Sequence, residues 1–273
     1  AFEHGDIRDG QRLRAVLRRH RPDGVIHFAS HIAVGESVRE PGKYYDNNVT
    51  GSLRLMEALR DEGVHRLVVS GTAAVYGLPE AVPIGEGSVA APINPYGRTK
   101  LVMEWMLADF AAAHGLEWIS LRYFNAAGAD PDGLTGEWHD PETHLIPNVL
   151  RAAAGRIPAL RLFGDDYDTP DGTCIRDYVH VSDLAEAHVL ALTYLMAGKP
   201  SLSMNLGTGS GNSVREILEA ARRVTGRDVP HVVEGRRPGD PARLVADASL
   251  ARRALGWRPR HTDILDIVAT AWA

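Results

Sequence analysis

Short apolar runs alternate with longer segments of helical period through the first half of the chain. The runs are GVIHFAS (24–30), HRLVVSGTAAVYG (65–77) and EWISLRYFN (117–125), and they are rich in β-branched and aromatic residues, as buried parallel strands are. The segments 41–62 and 96–114 between them place apolar residues three and four positions apart and end before a glycine. This β-α-β-α-β order predicts an α/β fold built on a doubly wound parallel sheet.

The pattern changes at about residue 125, where loops, short strands and scattered helices replace the regular alternation. We therefore predict two domains, 1–124 and 125–273, the second of mixed α/β structure. No internal repeat or low-complexity tract suggests a different organisation.

Composition and charge narrow the possible partners. A formal net charge of −5 gives no reason to expect binding to nucleic acid or to an anionic membrane, and no apolar run is long enough to cross a bilayer. The single cysteine, Cys174, cannot form a disulfide within the chain, which fits a reducing compartment, and we expect a cytoplasmic protein. The spacing of His27, His31 and His180 is not that of a metal site, and we expect no metal.

The heptapeptide NPYGRTK (94–100) opens a helix and places Tyr96 and Lys100 four positions apart. Positions i and i+4 share a helix face, so both side chains can reach one site. A tyrosine with a pKa of about 10 is a poor base at neutral pH, and a nearby cation lowers that pKa. The pattern Tyr-x-x-x-Lys can arise by chance, but its position at the start of a helix after a polar loop favours a site.

Ser70, Thr72 and Tyr76 stand at alternate positions near the end of the second run, where doubly wound sheets bind their ligands. A threonine hydroxyl there can hydrogen-bond a substrate hydroxyl and share its proton with Tyr96. Threonine is also an ordinary strand residue, and without the neighbouring Tyr-Lys pair that interpretation would be favoured. With the pair, we predict a catalytic site of Thr72, Tyr96 and Lys100.

Longer stretches of the sequence resemble a known family. They are HFASHIAVGESVREPGKYYDNNVTGSLRLMEAL, VVSGTAAVYG, NPYGRTK, LRYFNAAGADPDG and TCIRDYVHVSDLAEAH. Over nearly its whole length the chain resembles the extended short-chain dehydrogenase/reductases and, within these, the UDP-glucose (UDP-galactose) 4-epimerases. The resemblance implies a dinucleotide-binding domain over 1–124, a sugar-nucleotide-binding domain over 125–273 and a tightly held NAD. It also implies inversion at C4 of a UDP-hexose through a transient 4-keto sugar, and a homodimer formed through the helices 41–62 and 96–114.

The resemblance also implies roles for individual residues. Thr72, Tyr96 and Lys100 match the catalytic Ser/Thr, Tyr and Lys of the family. Positions that contact the cofactor are matched by Asp6, Ile7, Phe28, Ala29, Ser30, Asn47, Tyr96, Lys100 and Phe124. Positions that contact the sugar nucleotide are matched by Thr72, Asn125, Phe163, Arg176, Tyr178, Arg237, Asp240 and Leu244. Planar guanidinium groups suit phosphate oxygens, although a solvated Arg-Asp pair is the plainer interpretation of Arg176 and an ordinary surface charge that of Arg237.

Relatives with other activities provide alternatives. The nucleotide-sugar 4,6-dehydratases carry an Asp-Glu pair directly after the catalytic threonine, where this chain has Ala73 and Ala74, which cannot act as acid or base. Epimerisation is therefore favoured over dehydration. A UDP-pentose or UDP-uronate 4-epimerase remains an alternative, and so does a catalytically inactive protein that only binds sugar nucleotides.

Members of this family open with a strand, a Gly-rich turn and a helix that bind the pyrophosphate, and no such stretch precedes Asp6. We expect a fragment that lacks this N-terminal unit and stops within a final helix at Ala273. The Rossmann-like first domain is then incomplete at its N-terminus, and the mixed α/β second domain is expected to be the smaller of the two. Such a fragment alone is expected neither to hold NAD nor to epimerise.

The stretch NLGTGSGNSVREILEA (205–220) looks like a phosphate-binding glycine loop. The pattern G-x-G-x-x-G fails in it, because Asn212 or Val214 occupies the third glycine position, depending on where the count begins. We predict instead a tight turn in which Ser213 caps a helix and Glu216 completes a capping box.

Overall fold

The computed structural model of the chain describes residues 1–237 and 239–273. The elements up to residue 123 are helices α1 (Gly10–His20), α2 (Val34–Arg39), α3 (Pro41–Tyr44), α4 (Ser52–Glu62) and α5 (Pro95–His114), and strands β1 (Val25–His27), β2 (Arg66–Ser70) and β3 (Glu117–Tyr123). A π-helical segment, Tyr45–Gly51, joins α3 to α4, and a 3-10 turn, Ala73–Tyr76, follows β2.

The rest of the chain contains shorter strands and five helices among the described residues. The strands are β4 (Asn125–Ala127), β5 (Leu160–Phe163), β6 (Ile175–Arg176), β7 (Tyr178–His180), β8 (Leu202–Leu206), β9 (Asn212–Ser213), β10 (His231–Glu234) and β11 (Arg243–Leu244). The helices are α6 (Leu145–Ala153), α7 (Val181–Met196), α8 (Val214–Thr225), α9 (Ser249–Leu255) and α10 (Ile264–Trp272). Across residues 1–237 and 239–273, no helix combines the length and the apolar character that crossing a membrane requires.

The chain divides into two compact units. The first unit consists of Ala1–Gly77, Ser88–Arg122 and His188–Met204, and the second of Leu78–Gly87, Tyr123–Ala187 and Asn205–Ala273. The domain boundary predicted between residues 124 and 125 lies close to the break between Arg122 and Tyr123. The prediction differs from the structure in assigning residues 188–204 to the second domain. That segment lies in the first unit because β8 is the neighbour of β3 in the sheet.

The sheet of the first unit has the strand order β1-β2-β3-β8. Strands β1 and β2 pair in parallel with Ile26 opposite Val68, and β2 and β3 pair in parallel with Val68 opposite Ile119. Apolar side chains of α1, α4, α5 and the strands form one buried core, which includes Leu17, Met56, Leu59, Leu67, Val69, Met103 and Leu107. The prediction of an α/β fold with a parallel sheet is confirmed.

Two of the sequence-predicted elements differ from the structure. The helix predicted over 41–62 is interrupted by the π-helical segment, and the strand predicted over 65–77 ends at Ser70. Thr72 was expected within the strand, but it is the N-cap of the 3-10 turn. Its Oγ1 accepts a hydrogen bond from Ala74 N at 3.2 Å. Threonine side chains compete in this way with the sheet ladder for backbone N–H groups, which explains the early end of the strand.

Within its described residues, the second unit contains three small sheets instead of one large one. Their orders are β10-β5, β11-β6-β9 and β4-β7, and only the pairing of β6 with β9 is antiparallel among the described pairs. Helices α6, α8 and α10 bury a common core that includes Ile146, Val149, Ile217, Leu218, Ala221, Ile267 and Val268. The predicted capping box of Ser213 and Glu216 at the start of α8 is confirmed.

The glycine-containing turn after β8 surrounds a carboxylate of the chain itself. Asp177 Oδ1 accepts hydrogen bonds from the backbone N (2.9 Å) and Oγ1 (2.8 Å) of Thr208, and its Oδ2 accepts from Gly209 N (3.0 Å) and Ala246 N (3.1 Å). A Cβ on Gly207 would lie 2.5 Å from Asp177 Oδ2, so only glycine permits this close approach. The backbone amides that could attract a phosphate are thus used to bind Asp177.

Candidate active site

The start of α5 packs directly against the 3-10 turn that follows β2. Asn94 caps α5 by accepting a hydrogen bond from Gly97 N at 2.8 Å, and Pro95 occupies the first helical position, which suits proline. A Cβ on Gly97 would lie 2.6 Å from the carbonyl oxygen of Ala74. The two backbones therefore touch, and this contact brings the predicted residues of both elements together.

Tyr96 and Thr72 meet at this contact. Both side chains are buried, and the Thr72 hydroxyl lies close enough to the Tyr96 phenol to affect its pKa. Burial raises the pKa of the Tyr96 phenol, and the Thr72 hydroxyl acts in the opposite direction without cancelling it. The phenol and the hydroxyl are therefore neighbours in one buried site.

Lys100 lies one helical turn beyond Tyr96 and is also buried. Its Nζ donates hydrogen bonds to Ser70 O at 2.8 Å, to Ser30 Oγ at 2.9 Å and to Ser70 Oγ at 3.2 Å. Burial lowers the pKa of Lys100 to about 7, against a smaller raising effect of Glu104. Burial of the phenol dominates the pKa of Tyr96, which lies above its usual value in the nucleotide-free protein.

A buried polar network under Lys100 was not found from the sequence. Glu104, on the next turn of α5, accepts hydrogen bonds from Ser120 Oγ at 2.7 Å and from Arg122 Nε at 2.9 Å, and Arg122 Nη1 donates to the Tyr76 hydroxyl at 2.9 Å. An acidic residue four positions after Lys100, on the same helix face, was the signal that could have indicated it. The network places a negative charge beside the buried ammonium.

The predicted cofactor contacts at the end of β1 lie together. The ring of Phe28 is 57% exposed, Ser30 accepts from Lys100, and Asn47 Nδ2 donates to the carbonyl oxygen of Ala29 at 3.2 Å. An open aromatic face beside a hydroxyl and a buried ammonium, at the carboxyl edge of a parallel sheet, fits the rings and ribose hydroxyls of a dinucleotide.

Asp6 and Ile7 lie beside the π-helical segment. Arg8 donates to Asp6 Oδ2 at 2.7 Å and to Asp46 Oδ2 at 2.6 Å, and the Arg8 hydrogen bonds hold the pKa of Asp6 well below its usual range. Ile7 packs so closely on Gly51 that a Cβ there would lie 2.7 Å from Ile7 Cγ2. Phe124, the remaining predicted cofactor contact, belongs to the second unit.

The predicted substrate residues other than Thr72 belong to the second unit, and most of them lie close together. Asn125 stands opposite Tyr178 in the β4–β7 pair, and Leu244 stands opposite Arg176 in the β11–β6 pair. The guanidinium of Arg176 donates to the carbonyl oxygens of Ile175 and Pro241, both at 2.9 Å, and to Asp240 Oδ1 at 3.4 Å. Arg176 therefore pairs with Asp240 and not with its sequence neighbour Asp177, and its side chain is largely buried instead of solvated.

Phe163 and Arg237 form a second contact in the same unit. The Arg237 guanidinium carbon lies 3.9 Å from the centre of the Phe163 ring, a cation–π arrangement. Asp240 N donates to the carbonyl oxygen of Arg237 at 3.2 Å, which connects this pair to the Arg176–Asp240 contact. A planar ring and two guanidinium groups in one unit are suited to a base and a diphosphate.

Comparison with known proteins relates this geometry to a family. Residues 1–207 match the family model described as the NAD dependent epimerase/dehydratase family. The UDP-glucose 4-epimerase of Rhizobium meliloti (strain 1021) is 52% identical over 271 residues, which cover 99% of this chain and 82% of that protein. The UDP-glucose 4-epimerase of Streptomyces lividans is 54% identical over 273 residues, 100% of this chain and 82% of that protein.

Solved structures give the same result. UDP-glucose 4-epimerase from Brucella ovis in complex with NAD superimposes with a TM-score of 0.98 at 53% identity, covering 99% of this chain and 83% of that one. The enzyme from Bifidobacterium longum in complex with NAD+ and UDP gives a TM-score of 0.93 at 40% identity, covering 99% of this chain and 81% of that one. With a parallel sheet, a buried Tyr-Thr-Lys group and these matches, the chain belongs to the NAD-dependent epimerase/dehydratase family.

Proposed function

We propose that the protein is an NAD-dependent 4-epimerase that interconverts UDP-glucose and UDP-galactose. The observation that carries the proposal is the buried group in which the Thr72 hydroxyl lies beside the Tyr96 phenol, one helical turn from Lys100. The relatives named UDP-glucose 4-epimerase support the choice of substrate. Ala73 and Ala74, which begin the turn after Thr72, supply no acid or base for a dehydration.

The cofactor in this proposal is NAD, which when bound takes up hydride from C4 of the sugar and gives it back. We propose that it is held by Asp6, Ile7, Phe28, Ala29, Ser30, Asn47, Tyr96, Lys100 and Phe124. The half-exposed ring of Phe28 supplies a stacking surface. Ser30 and Lys100 supply hydrogen-bonding groups for ribose hydroxyls.

Tyr96 carries the proton chemistry. As phenolate it accepts the proton of the sugar 4-hydroxyl while the hydrogen on C4 leaves as hydride, which gives a 4-keto sugar. After the sugar presents its other face, C4 regains the hydride and Tyr96 returns the proton to the oxygen, so that C4 is inverted without net oxidation. Thr72, which is buried beside Tyr96, hydrogen-bonds the reacting hydroxyl, and this keeps the proton path to Tyr96 short.

Burial opposes the phenolate that this mechanism needs, since it raises the pKa of Tyr96. A positive charge at Lys100 favours the phenolate, and Lys100 can gain or lose its proton near pH 7 because burial lowers its pKa to about 7. The buried site therefore makes Tyr96 a base only when positive charge is present next to it.

The residues of the second unit hold the nucleotide end of the substrate in this proposal. Arg176 and Arg237 bind the diphosphate, and Asn125, Phe163, Tyr178 and Asp240 surround the uridine and ribose, with Leu244 beside the hexose. Strong contacts at the diphosphate and few at the sugar let the hexose turn while the substrate stays bound.

We further propose a homodimer and a cytoplasmic location. On α5, Leu101 is buried whereas Trp105 is 59% exposed, so the helix has an apolar face towards its own core and a second one outside it. A large exposed aromatic residue on a rigid helix is typical of a protein–protein contact.

The decisive experiment is to incubate the purified protein with NAD and UDP-galactose and to measure the UDP-glucose formed with a coupled dehydrogenase. Parallel assays with UDP-xylose and UDP-glucuronate test the pentose and uronate alternatives. Conversion of UDP-galactose at the highest kcat/KM supports the proposal. Binding of UDP-galactose by calorimetry without conversion of any of the three would favour the inactive sugar-nucleotide-binding protein instead.

A further inference from the structure

Two histidines and two glutamates converge in the segment that precedes α6 in the second unit. They are Glu137, His139, Glu142 and His144, and one ligand atom from each lies within 4.8 Å of all the others. The sequence spacing is Glu-x-His-x-x-Glu-x-His. The sequence expectation of no metal rests on the spacing of His27, His31 and His180, which lie outside this cluster.

The same ring nitrogens face both carboxylates. His144 Nδ1 lies 2.8 Å from Glu137 Oε1 and 2.9 Å from Glu142 Oε1. His139 Nδ1 lies 3.2 Å from Glu137 Oε1 and 3.6 Å from Glu142 Oε2. The two imidazole rings are 4.9 Å apart between their centres. Four nitrogen and oxygen atoms thus point towards one small volume.

Hydrogen bonds between these four side chains satisfy only part of the arrangement. An imidazole Nδ1 carries at most one hydrogen, yet each of these nitrogens faces two carboxylate oxygens. The two carboxylates also repel each other at this distance unless a positive charge lies between them, and either a protonated His144 or a bound cation supplies that charge. One divalent cation bound by all four atoms satisfies both requirements at once.

Two of the four ligands are firmly held. The Glu142 side chain is only 6% exposed, and its Oε1 accepts from the backbone N of Thr143 and of His144, both at 2.7 Å. His144 is the N-cap residue of α6, and Asn148 Nδ2 donates to its carbonyl oxygen at 2.9 Å. The Oε2 of Glu142 lies 3.6 Å from His139 Nδ1, which is too far for a hydrogen bond. This oxygen can therefore bind a further ligand.

The other two ligands leave a path for an ion. The Glu137 side chain is partly exposed and that of His139 more so. These two residues can move towards an ion that is already bound by Glu142 and His144. The site therefore combines a fixed half with an accessible half.

We propose that Glu137, His139, Glu142 and His144 form a binding site for a divalent transition-metal ion, with zinc as the best fit. Two imidazole nitrogens and two carboxylate oxygens suit tetrahedral zinc, whereas magnesium and calcium prefer oxygen ligands alone. Zinc bonds of about 2.0–2.1 Å place tetrahedral ligands roughly 3.4 Å apart, so the four atoms need only small shifts. The bound ion fastens the segment 137–144 to the start of α6. The proposal does not depend on the proposed epimerase activity.

The test uses tag-free protein of residues 1–273, stripped with a chelator, and zinc titrated against a chromophoric zinc indicator. We expect one equivalent of zinc to bind the wild-type protein and to raise its thermal melting temperature. His139→Ala should weaken binding at least about tenfold, as loss of a ligand does more than loss of a supporting residue. Glu137→Gln, which keeps the shape and removes the charge, should weaken it as well, and His4→Ala, at an exposed histidine, should not.

Equal zinc affinity in wild type and in both ligand variants would overturn the proposal. So would an X-ray absorption spectrum of the zinc-loaded protein with a sulfur ligand at about 2.3 Å, because that ligand would be Cys174. A nitrogen and oxygen shell with imidazole scattering would support it. Folding of each variant is checked by circular dichroism before titration.

Discussion

Glu104 and Arg122 form an ion pair in which both residues are less than a tenth exposed, with Arg122 Nε donating to Glu104 Oε1 at 2.9 Å. The pair connects α5 to β3 and lies one helical turn beyond Lys100. Burying two charges is unfavourable unless each finds its partner, so removal of one partner has a large effect. The integrity of the catalytic helix can therefore be tested at a position that no substrate touches.

Glu104→Gln should lower the free energy of unfolding by about 3–5 kcal/mol, because it leaves the Arg122 guanidinium buried without a counter-charge. Ser120→Ala is the matched control, since it removes only one neutral donor to the same carboxylate and should cost about 1 kcal/mol. Urea denaturation of the three proteins gives the comparison. Equal losses in the two variants would mean that the charge of Glu104 does not matter.

Lys100 should make stability depend on pH in a particular direction. Its pKa is about 7 in the folded protein, below the value of about 10.4 in an unfolded chain. Between these values the unfolded state binds a proton that the folded state does not, so the Lys100 contribution to the free energy of unfolding rises with pH.

Measured in nucleotide-free protein, the stability of wild type relative to Lys100→Met should therefore increase from pH 7 to pH 9, by up to about 1.4 kcal/mol per pH unit. The exposed Lys199 provides the control, because Lys199→Met should leave the pH dependence unchanged. If the free energies of unfolding of wild type and Lys100→Met differ by the same amount from pH 7 to pH 9, the pKa of Lys100 is not lowered in the folded protein.

Tyr96→Phe should reduce kcat for UDP-galactose about 10²- to 10⁴-fold, because it keeps the shape of the ring and removes the group that carries the proton. Binding of UDP-galactose, measured by calorimetry, should remain. The control is Tyr45→Phe, at an exposed tyrosine, which should retain normal turnover. Near-normal kcat in Tyr96→Phe would exclude this residue as the base.

Leu244 should limit the size of the substituent at C2 of the hexose. It lies in β11 opposite Arg176 and is partly buried. The wild-type protein should prefer UDP-galactose over its N-acetyl form. Leu244→Ala should raise the relative kcat/KM for the N-acetyl form at least about 10-fold, because a single methylene group in an apolar pocket changes kcat/KM by about 10- to 200-fold. Leu134→Ala, at an exposed position, is the control. An unchanged ratio would contradict a role of Leu244 in specificity.

The proposed dimer depends on the exposed face of α5. Trp105→Glu should convert a dimer into a monomer by placing a charge in an apolar contact, whereas Trp138→Glu, at a tryptophan that is also exposed, should not change the mass. Light scattering measures both. A wild-type protein that is monomeric at all concentrations would contradict the proposal.

The parts of the structure that depend on local sequence were predictable. Strands β1 to β3 follow from their apolar runs, and the capping box of Ser213 and Glu216 follows from residues three positions apart. The end of β2 was not predictable, because Thr72 has a good strand propensity and its capping hydrogen bond decides the outcome.

Relationships between distant residues were missed for a different reason. The partners Glu104 and Arg122 are 18 positions apart, and only the packing of α5 on β3 makes one the counter-ion of the other. The pKa of Tyr96 likewise depends on how deeply the ring is buried, which the pattern Tyr-x-x-x-Lys does not contain. Contacts between residues close in sequence could thus be predicted, whereas ion pairs between distant residues and the depth of burial of a side chain could not.

The contact between Gly97 and Ala74 has a consequence for how this site can evolve. The distance between Thr72 and Tyr96 is set by the direct contact of two main chains, at Gly97 and at Ala74 O, with no side chain between them. Neutral drift in the surrounding side chains can therefore change their size without moving the two hydroxyls apart. A β-carbon at position 97 would instead push the two main chains apart. Gly97→Ala, the smallest possible substitution there, would therefore separate the hydroxyls of Thr72 and Tyr96.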